Sequence, residues 1–309
     1  MAYRFRKNEA IPHAIQRVFT EEINGAVGQL AHSKKRAAAV HEARKSIKKI
    51  RGLLGLIRSR LGPGYKTEDR YFRRAANQLS EMRDTAVMLE VFDALAAKLD
   101  HADIAALGEI RVKLQRSQSA APPEKQVSAE VVRLLNEARP LARSWPLENL
   151  DLDALLPDFT SAYRAGRKAL KRALHHQNAE SLHNFRKKVK QHWYHVRLLE
   201  NVWDSDMKKR ASDLRDLETW LGDQHNLDVL RERLTADTET SRDRHQSRHF
   251  MALLDNESKA LRNRALEAGE RLYDEKPGAF SRRLAALWAA PVRKGPAAAE
   301  SPSAKSAVA

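Results

Sequence analysis

Between Val40 and Leu61 the apolar and small residues Val40, Ala43, Ile47, Ile50, Leu54, Ile57 and Leu61 recur at alternating steps of three and four. A helix turns about 100° per residue, so this spacing lines them up on one stripe. Gly62-Pro63-Gly64 then stops the pattern. A second stripe follows at Phe72, Ala75, Leu79, Met82, Ala86 and Leu89, continuing toward Phe92 and Leu95, and a third covers residues 104–114. Residues 117–126, with their Pro122-Pro123 pair, read as a connection. Helical spacing returns over 127–138, yields to an irregular Pro-containing stretch up to Pro157, and resumes over 159–175, 181–203, 207–234 and 242–272. From Pro291 the tail has too few apolar groups to offset its ordering entropy and is expected to be disordered.

The pattern repeats. At a shift of 142 positions, Val40-His41-Glu42-Ala43-Arg44-Lys45-Ser46-Ile47-Lys48 lies over Leu182-His183-Asn184-Phe185-Arg186-Lys187-Lys188-Val189-Lys190. Both carry H-x-x-R-K-x-(I/V)-K. Without a gap, Leu79-Ser80-Glu81-Met82-Arg83-Asp84 falls on Leu221-Gly222-Asp223-Gln224-His225-Asn226, Val87 on Val229, and Arg73 on Arg215. Chance can supply one basic octamer twice, but an unchanged offset across two helices and their turn points to tandem helical bundles related by duplication.

Composition agrees with helices. Only 12 Gly and 11 Pro punctuate 309 residues rich in Ala, Leu, Arg, Lys and Glu. That length allows two or three compact units. The absence of cysteine excludes disulfide scaffolds, iron–sulfur clusters, Cys-ligated zinc and thiol catalysis, and fits a reducing compartment. The opening MAYRFRKNEAIPHAI lacks a signal-peptide core and no long apolar run occurs, so a soluble cytoplasmic protein without membrane contact is expected.

The net charge of +16 is not spread evenly. Residues 34–60 hold ten Lys/Arg against Glu42, and residues 164–197 hold ten against Glu180, so each segment carries +9 and the remainder −2. On the first helix His41, Arg44, Lys45, Lys48 and Arg51 share a stripe about a third of a turn from the apolar one; His183, Arg186, Lys187, Lys190 and Arg197 share its counterpart. A solvated surface face normally mixes acids into such a stripe. Here they are missing, and like charges one turn apart repel by a few tenths of a kcal/mol per pair. A bound polyanion is the natural compensation. The first stripe has no aromatic platform, the second segment offers few aromatic residues, Trp193 and Tyr194 among them, and no helix-turn-helix, zinc-finger or RNA-recognition signature occurs. Nucleic acid therefore ranks behind a bare chain of phosphates met by Arg forks, Lys charges and His donors.

These residues resemble the CHAD family, the conserved-histidine α-helical domain. The likeness rests on the duplicated H-x-x-R-K-x-(I/V)-K and L-(S/G)-x-x-(R/H)-(D/N)-x-x-V elements and spans residues 11–287. It implies an all-α fold of two pseudo-symmetric four-helix bundles around a basic central groove, binding of inorganic polyphosphate or another linear polyanion, and location at cytoplasmic polyphosphate granules. The E-x-E-x-K motif of family members fused to a triphosphate-cleaving tunnel domain is absent, so a stand-alone binder without cofactor or metal is expected. The corresponding division is a first bundle over 1–118, a linker over 119–126, a second bundle over 127–290 and a tail over 291–309.

The candidate polyphosphate-binding residues are His41, Arg44, Lys45, Lys48 and Arg51 with His183, Arg186, Lys187, Lys190 and Arg197. To these are added Arg73, Arg83, Arg215 and His225 from the second repeated element and Arg164, Arg167 and Lys168 upstream of the second copy. Glu21 and Glu22 stand near the first-copy counterparts of those last three, so the halves need not contribute equally. Neighbouring cations should disfavour charged His41 and His183 until an anion arrives. Phosphate transfer or cleavage through these histidines is the alternative, although no acid or metal-binding carboxylate cluster accompanies them. His192, equivalent to Ile50, reads as a core histidine, and the i, i+4 pair His245/His249 as a solvated face.

Overall fold

The computed structural model describes residues 3–99, 107–119, 124–202, 205–237 and 248–289, and no strand occurs among them. The helices are α1 (Ile11–His32), α2 (Arg36–Leu56), the single-turn α3 (Arg58–Leu61), α4 (Gly64–Gln78), α5 (Glu81–Ala96), α6 (Gly108–Ser119), α7 (Glu124–Ala138), α8 (Leu156–His176), α9 (Ala179–Leu199), α10 (Ser205–Asp237), α11 (Arg248–Leu272) and α12 (Pro277–Ala289). Short 3-10 turns at Leu141–Arg143 and Asp153–Leu155 punctuate the irregular stretch before α8. Residues 120–123 of the expected linker and the whole expected tail lie outside the described residues.

The apolar stripes become the core. Val40, Ala43, Ile47, Ile50, Leu53 and Leu54 of α2 pack with Ile15, Val18 and Phe19 of α1, Phe72 and Ala75 of α4, and Val131 and Leu135 of α7. The counterpart set is Leu182, Phe185 and Val189 of α9 with Phe159 and Tyr163 of α8, Leu214 and Leu217 of α10, and Phe280 of α12. Each Val, Leu, Ile or Phe among them contributes about 1.5–3 kcal/mol on leaving water. A smaller core unites Phe92 and Leu95 of α5, Leu114 of α6, Leu227, Leu230 and Leu234 of α10, and Phe250 and Leu254 of α11. It joins the distal parts of both copies.

One stripe proves to be two helices. The spacing from Phe72 to Leu95 is continuous, yet α4 ends at Gln78 and α5 starts at Glu81. The Ser80 N–H donates to the Asn77 carbonyl, and the Ser80 hydroxyl to that of Ala76 at 3.1 Å, closing the turn. The counterpart stretch of α10 runs through Gly222 unbroken.

The two copies meet where α2 crosses α9. A methyl group on Gly52 would lie 2.7 Å from Tyr194 Cβ, so only glycine lets the helices approach this closely. Gly52 and Tyr194 are themselves related by the repeat offset of 142 positions. Beside them His192, fully buried, bonds through Nδ1 to the Tyr273 hydroxyl at 3.0 Å. It is the core histidine that its register indicated.

Candidate functional site

One turn before Gly52 on α2 stands Lys48, three to four residues along the ridge being the distance at which helical side chains are neighbours. Its surroundings come from both copies: Arg44 from its own helix, Arg186 and Lys190 from α9, and Glu218 from α10. Burial, first, and then the charges of Lys190, Arg44 and Arg186 hold its ammonium down to about 7, with Glu218 pulling the other way. The basic stripes therefore converge at Lys48 and Lys190, again a pair of counterparts.

Glu218 organises the second-copy side. Its Oε1 accepts from Lys190 Nζ at 2.6 Å and lies 3.4 Å from Arg186 Nη2, and its side chain is only 13% exposed. The repeat places Ala76 at the equivalent point of α4, so no matching acid faces Lys48 from there. Arg44 and Arg186 are themselves seated alike. Arg44 donates through Nη2 to the Ser80 hydroxyl at 3.0 Å and through Nη1 to the Ser80 carbonyl at 3.5 Å. Arg186 lies over Gly222, where a methyl group would come within 3.2 Å of Nη2. The S/G position of the second repeated element thus exists to receive the arginine of the first.

The histidine of the second stripe lies against the second element as well. The His183 and His225 rings stand 4.5 Å apart at 38°. Burial, then His225, Lys187 and Arg186, push His183 down to about 4, which keeps it neutral near pH 7. The cation effect expected from the sequence is present, but desolvation leads it. In the first stripe the His41 ring nitrogen Nε2 is 3.8 Å from Glu42, whose carboxylate also accepts from Lys45 at 2.9 Å. Lys45 and Lys187 are exposed at the flanks.

The CHAD domain model matches residues 20–235, well over half the sequence. The chain belongs to the CHAD domain family. CHAD domains are a non-catalytic family, and among the described residues no group of three or more His, Cys, Asp or Glu could hold a metal ion. No curated protein matches the chain. The fold is similar to that of the crystal structure of the CHAD domain from the plant Ricinus communis, with TM-score 0.62 and 16% identity over 89% of this chain and 96% of that one. No helix among the described residues is long and apolar enough to cross a membrane.

Other candidate residues of this CHAD domain are engaged elsewhere. Arg51 donates to Asp69 through Nε at 2.8 Å, and Arg73 to the same carboxylate at 2.6 Å. Asp69 is buried, and although desolvation opposes it, these two guanidinium groups hold its carboxyl below the usual range. Arg197 lies over the rings of Tyr3 and Trp193, at 5.6 and 5.1 Å. Arg167 donates to the Tyr273 carbonyl at 2.9 Å, while Arg164 and Lys168 are exposed on α8 and Arg215 is exposed 3.8 Å from Asp216. The side chain of Arg83, like all of His245, lies outside the described residues. In the first copy Glu22, the counterpart of Arg164, is buried against Lys49 Nζ at 2.8 and 3.0 Å, so that half neutralises a cation where the other adds one. Glu218 was not singled out from the sequence, and Ser80 and Gly222 entered there only as the S/G position of the second repeated element, not as site residues.

Proposed function

We propose that this CHAD domain binds inorganic polyphosphate in a basic groove between two pseudo-symmetric helical bundles. The observation that carries the reading is the convergence of Arg44 and Lys48 with Arg186 and Lys190 around one carboxylate, Glu218. Four basic side chains against Glu218, with Asp223 near Arg186, leave an excess of positive charge in a half-buried place, where each uncompensated charge is costly and a passing anion is worth more than in open water. The first-copy residues up to 118 and the second-copy residues 127–290 supply the two walls, and Lys45, Lys187, His41 and His183 add charge and donors along them. Arginine forks and lysine charges fit phosphate oxygens without reading bases. A cytoplasmic setting at polyphosphate granules follows from that ligand.

Titration of polyphosphate against the wild type and a Lys45→Glu/Lys48→Glu/Lys187→Glu/Lys190→Glu variant tests the reading, equal affinity being the result that refutes it. Competition identifies the partner. If duplex DNA displaces polyphosphate at comparable charge concentration, the site is a general polyanion surface.

A further inference from the structure

On the exposed side of α4, Arg70, Arg73, Arg74, Asn77 and Gln78 line an open recess of about 430 Å³. We infer that this recess is a second subsite, reached by polyphosphate chains too long for the cluster around Lys48; the inference rests on the polyphosphate reading of that cluster. The two places are joined by cations at neighbouring positions. Arg51 is one turn from Lys48 on α2 and so adjacent to it. Arg51 donates to both oxygens of the Asp69 carboxylate, at 2.8 and 3.4 Å, and Arg73 shares Oδ2 at 2.6 Å, which holds the two guanidinium heads side by side within reach of one anion. Arg73 in turn lines the recess, with Arg70 three residues before it and Arg74 beside it. A phosphate chain leaving Lys48 past Arg51 therefore meets a guanidinium at each step into the recess.

The charges around the recess leave it positive. Asp69 is shared by Arg51 and Arg73. Glu130 of α7 accepts from Gln78 Nε2 at 2.8 Å and stands 4.0 Å from Arg74. Two acids thus face four arginines. The copies differ sharply here, which is why the duplicated motifs do not reveal the recess. The counterparts of Arg51, Asp69, Arg70 and Arg74 are Trp193, Ala211, Ser212 and Asp216, and of the recess arginines only Arg73 keeps a basic equivalent, Arg215. The track runs from the centre toward the first copy alone, so a long chain is held asymmetrically on a nearly symmetric scaffold.

The test compares tripolyphosphate with long-chain polyphosphate on the wild type and on Arg70→Glu/Arg74→Glu, which leaves the Arg51–Asp69–Arg73 bridge intact. Long-chain affinity is expected to fall about tenfold, and its log–log salt slope to shrink by roughly one to one and a half, as loss of two single-strand phosphate contacts implies, with tripolyphosphate unchanged within about twofold. Arg70→Lys/Arg74→Lys, which keeps the charge, should retain long-chain binding, and a thermal melt of each variant separates misfolding from lost contacts. Unchanged long-chain affinity and slope in a folded Glu variant would overturn the inference, as would an equal loss for both lengths. A loss confined to duplex DNA would overturn it too, making the recess a nucleic-acid contact. Failure of the central reading looks different, since the Lys48/Lys190 charge reversal would then leave tripolyphosphate binding intact.

Discussion

Lys48 should take up a proton when polyphosphate binds. In the free protein its ammonium is held at about 7 by burial and by Lys190, Arg44 and Arg186. An adjacent row of phosphates removes the penalty and returns the group at least to the ordinary lysine value of about 10.4. At pH 8 about a tenth of free Lys48 is charged against essentially all of the bound form, so binding should draw in about 0.9 proton; at pH 7 the uptake is about 0.5 and at pH 6 about 0.1. Integrated, this single group makes affinity roughly a hundredfold weaker at pH 9 than at pH 6. Calorimetry with long-chain polyphosphate in two buffers of different ionisation enthalpy reads the uptake directly, because long chains carry few titrating ends. Working at pH 8 keeps His183, at about 4, out of the signal. Lys48→Arg, always charged, should bind without that uptake. Uptake below about 0.2 proton at pH 8, or the same uptake in Lys48→Arg, would refute the assignment.

The same depression acts on stability with the opposite sense. The unfolded lysine binds its proton below about 10.4 and the folded one only below about 7, so stability falls as pH drops through that window and stays low beneath it; Lys48→Met should therefore raise the melting temperature at pH 7 and abolish this slope in pH-dependent melts. Glu218→Gln removes the one acid between Lys190 and Arg186 and should tighten polyphosphate binding while lowering the melting temperature, an isotherm and a melt deciding both. His183 should titrate near 4 when free and move upward when phosphate binds, as followed by its ring proton shifts in NMR. Gly52→Ala places a methyl 2.7 Å from Tyr194 Cβ and should cost about 1–3 kcal/mol in denaturant unfolding through overpacking at the α2–α9 crossing.

Much of this was legible beforehand because it is periodic. The stripe from Val40 to Leu54 is buried as its spacing requires, and residues 142 positions apart come together, Lys190 close enough to Lys48 to depress its ammonium and Tyr194 against Gly52. Helices α1 and α12, unassigned from the sequence, carry the same kind of stripe in Ile11, Ile15, Val18 and in Phe280, Leu284. The break between α4 and α5 could not be seen in the apolar spacing, since Leu79 stays buried across it; the turn is made by Ser80 and held by Arg44, a contact between segments far apart in the chain. The intramolecular partners of Arg51, Arg167 and Arg197 were not legible from the basic stripe, because a helix face says nothing of the carboxylate, carbonyl or ring that another element brings to it. Glu218 was hidden for a related reason. Its counterpart is Ala76, so comparing the copies gives it no weight, and only the fold carries it to Lys190.

That mismatch explains how a duplicated cluster of cations can fold at all. Were both copies to lack the acid, Lys48, Lys190, Arg44 and Arg186 would confront one another with only Asp223, near Arg186, to offset them, and removing the partner of a half-buried charge costs several kcal/mol. Were both to possess it, each lysine would be neutralised by its own carboxylate, as Lys190 is by Glu218 at 2.6 Å, and little field would remain for a ligand. With one acid for two lysines, one side is anchored and the other left under electrostatic stress, relieved by giving up its proton. The asymmetry between Ala76 and Glu218 thus adds to burial, the leading cause, in holding the Lys48 ammonium down. Exchanging it, by Ala76→Glu with Glu218→Ala, should raise the Lys48 pKa and so reduce the proton uptake on polyphosphate binding at pH 8. An uptake left unchanged by the exchange would mean that the depression belongs to the burial of Lys48 alone and not to the missing acid.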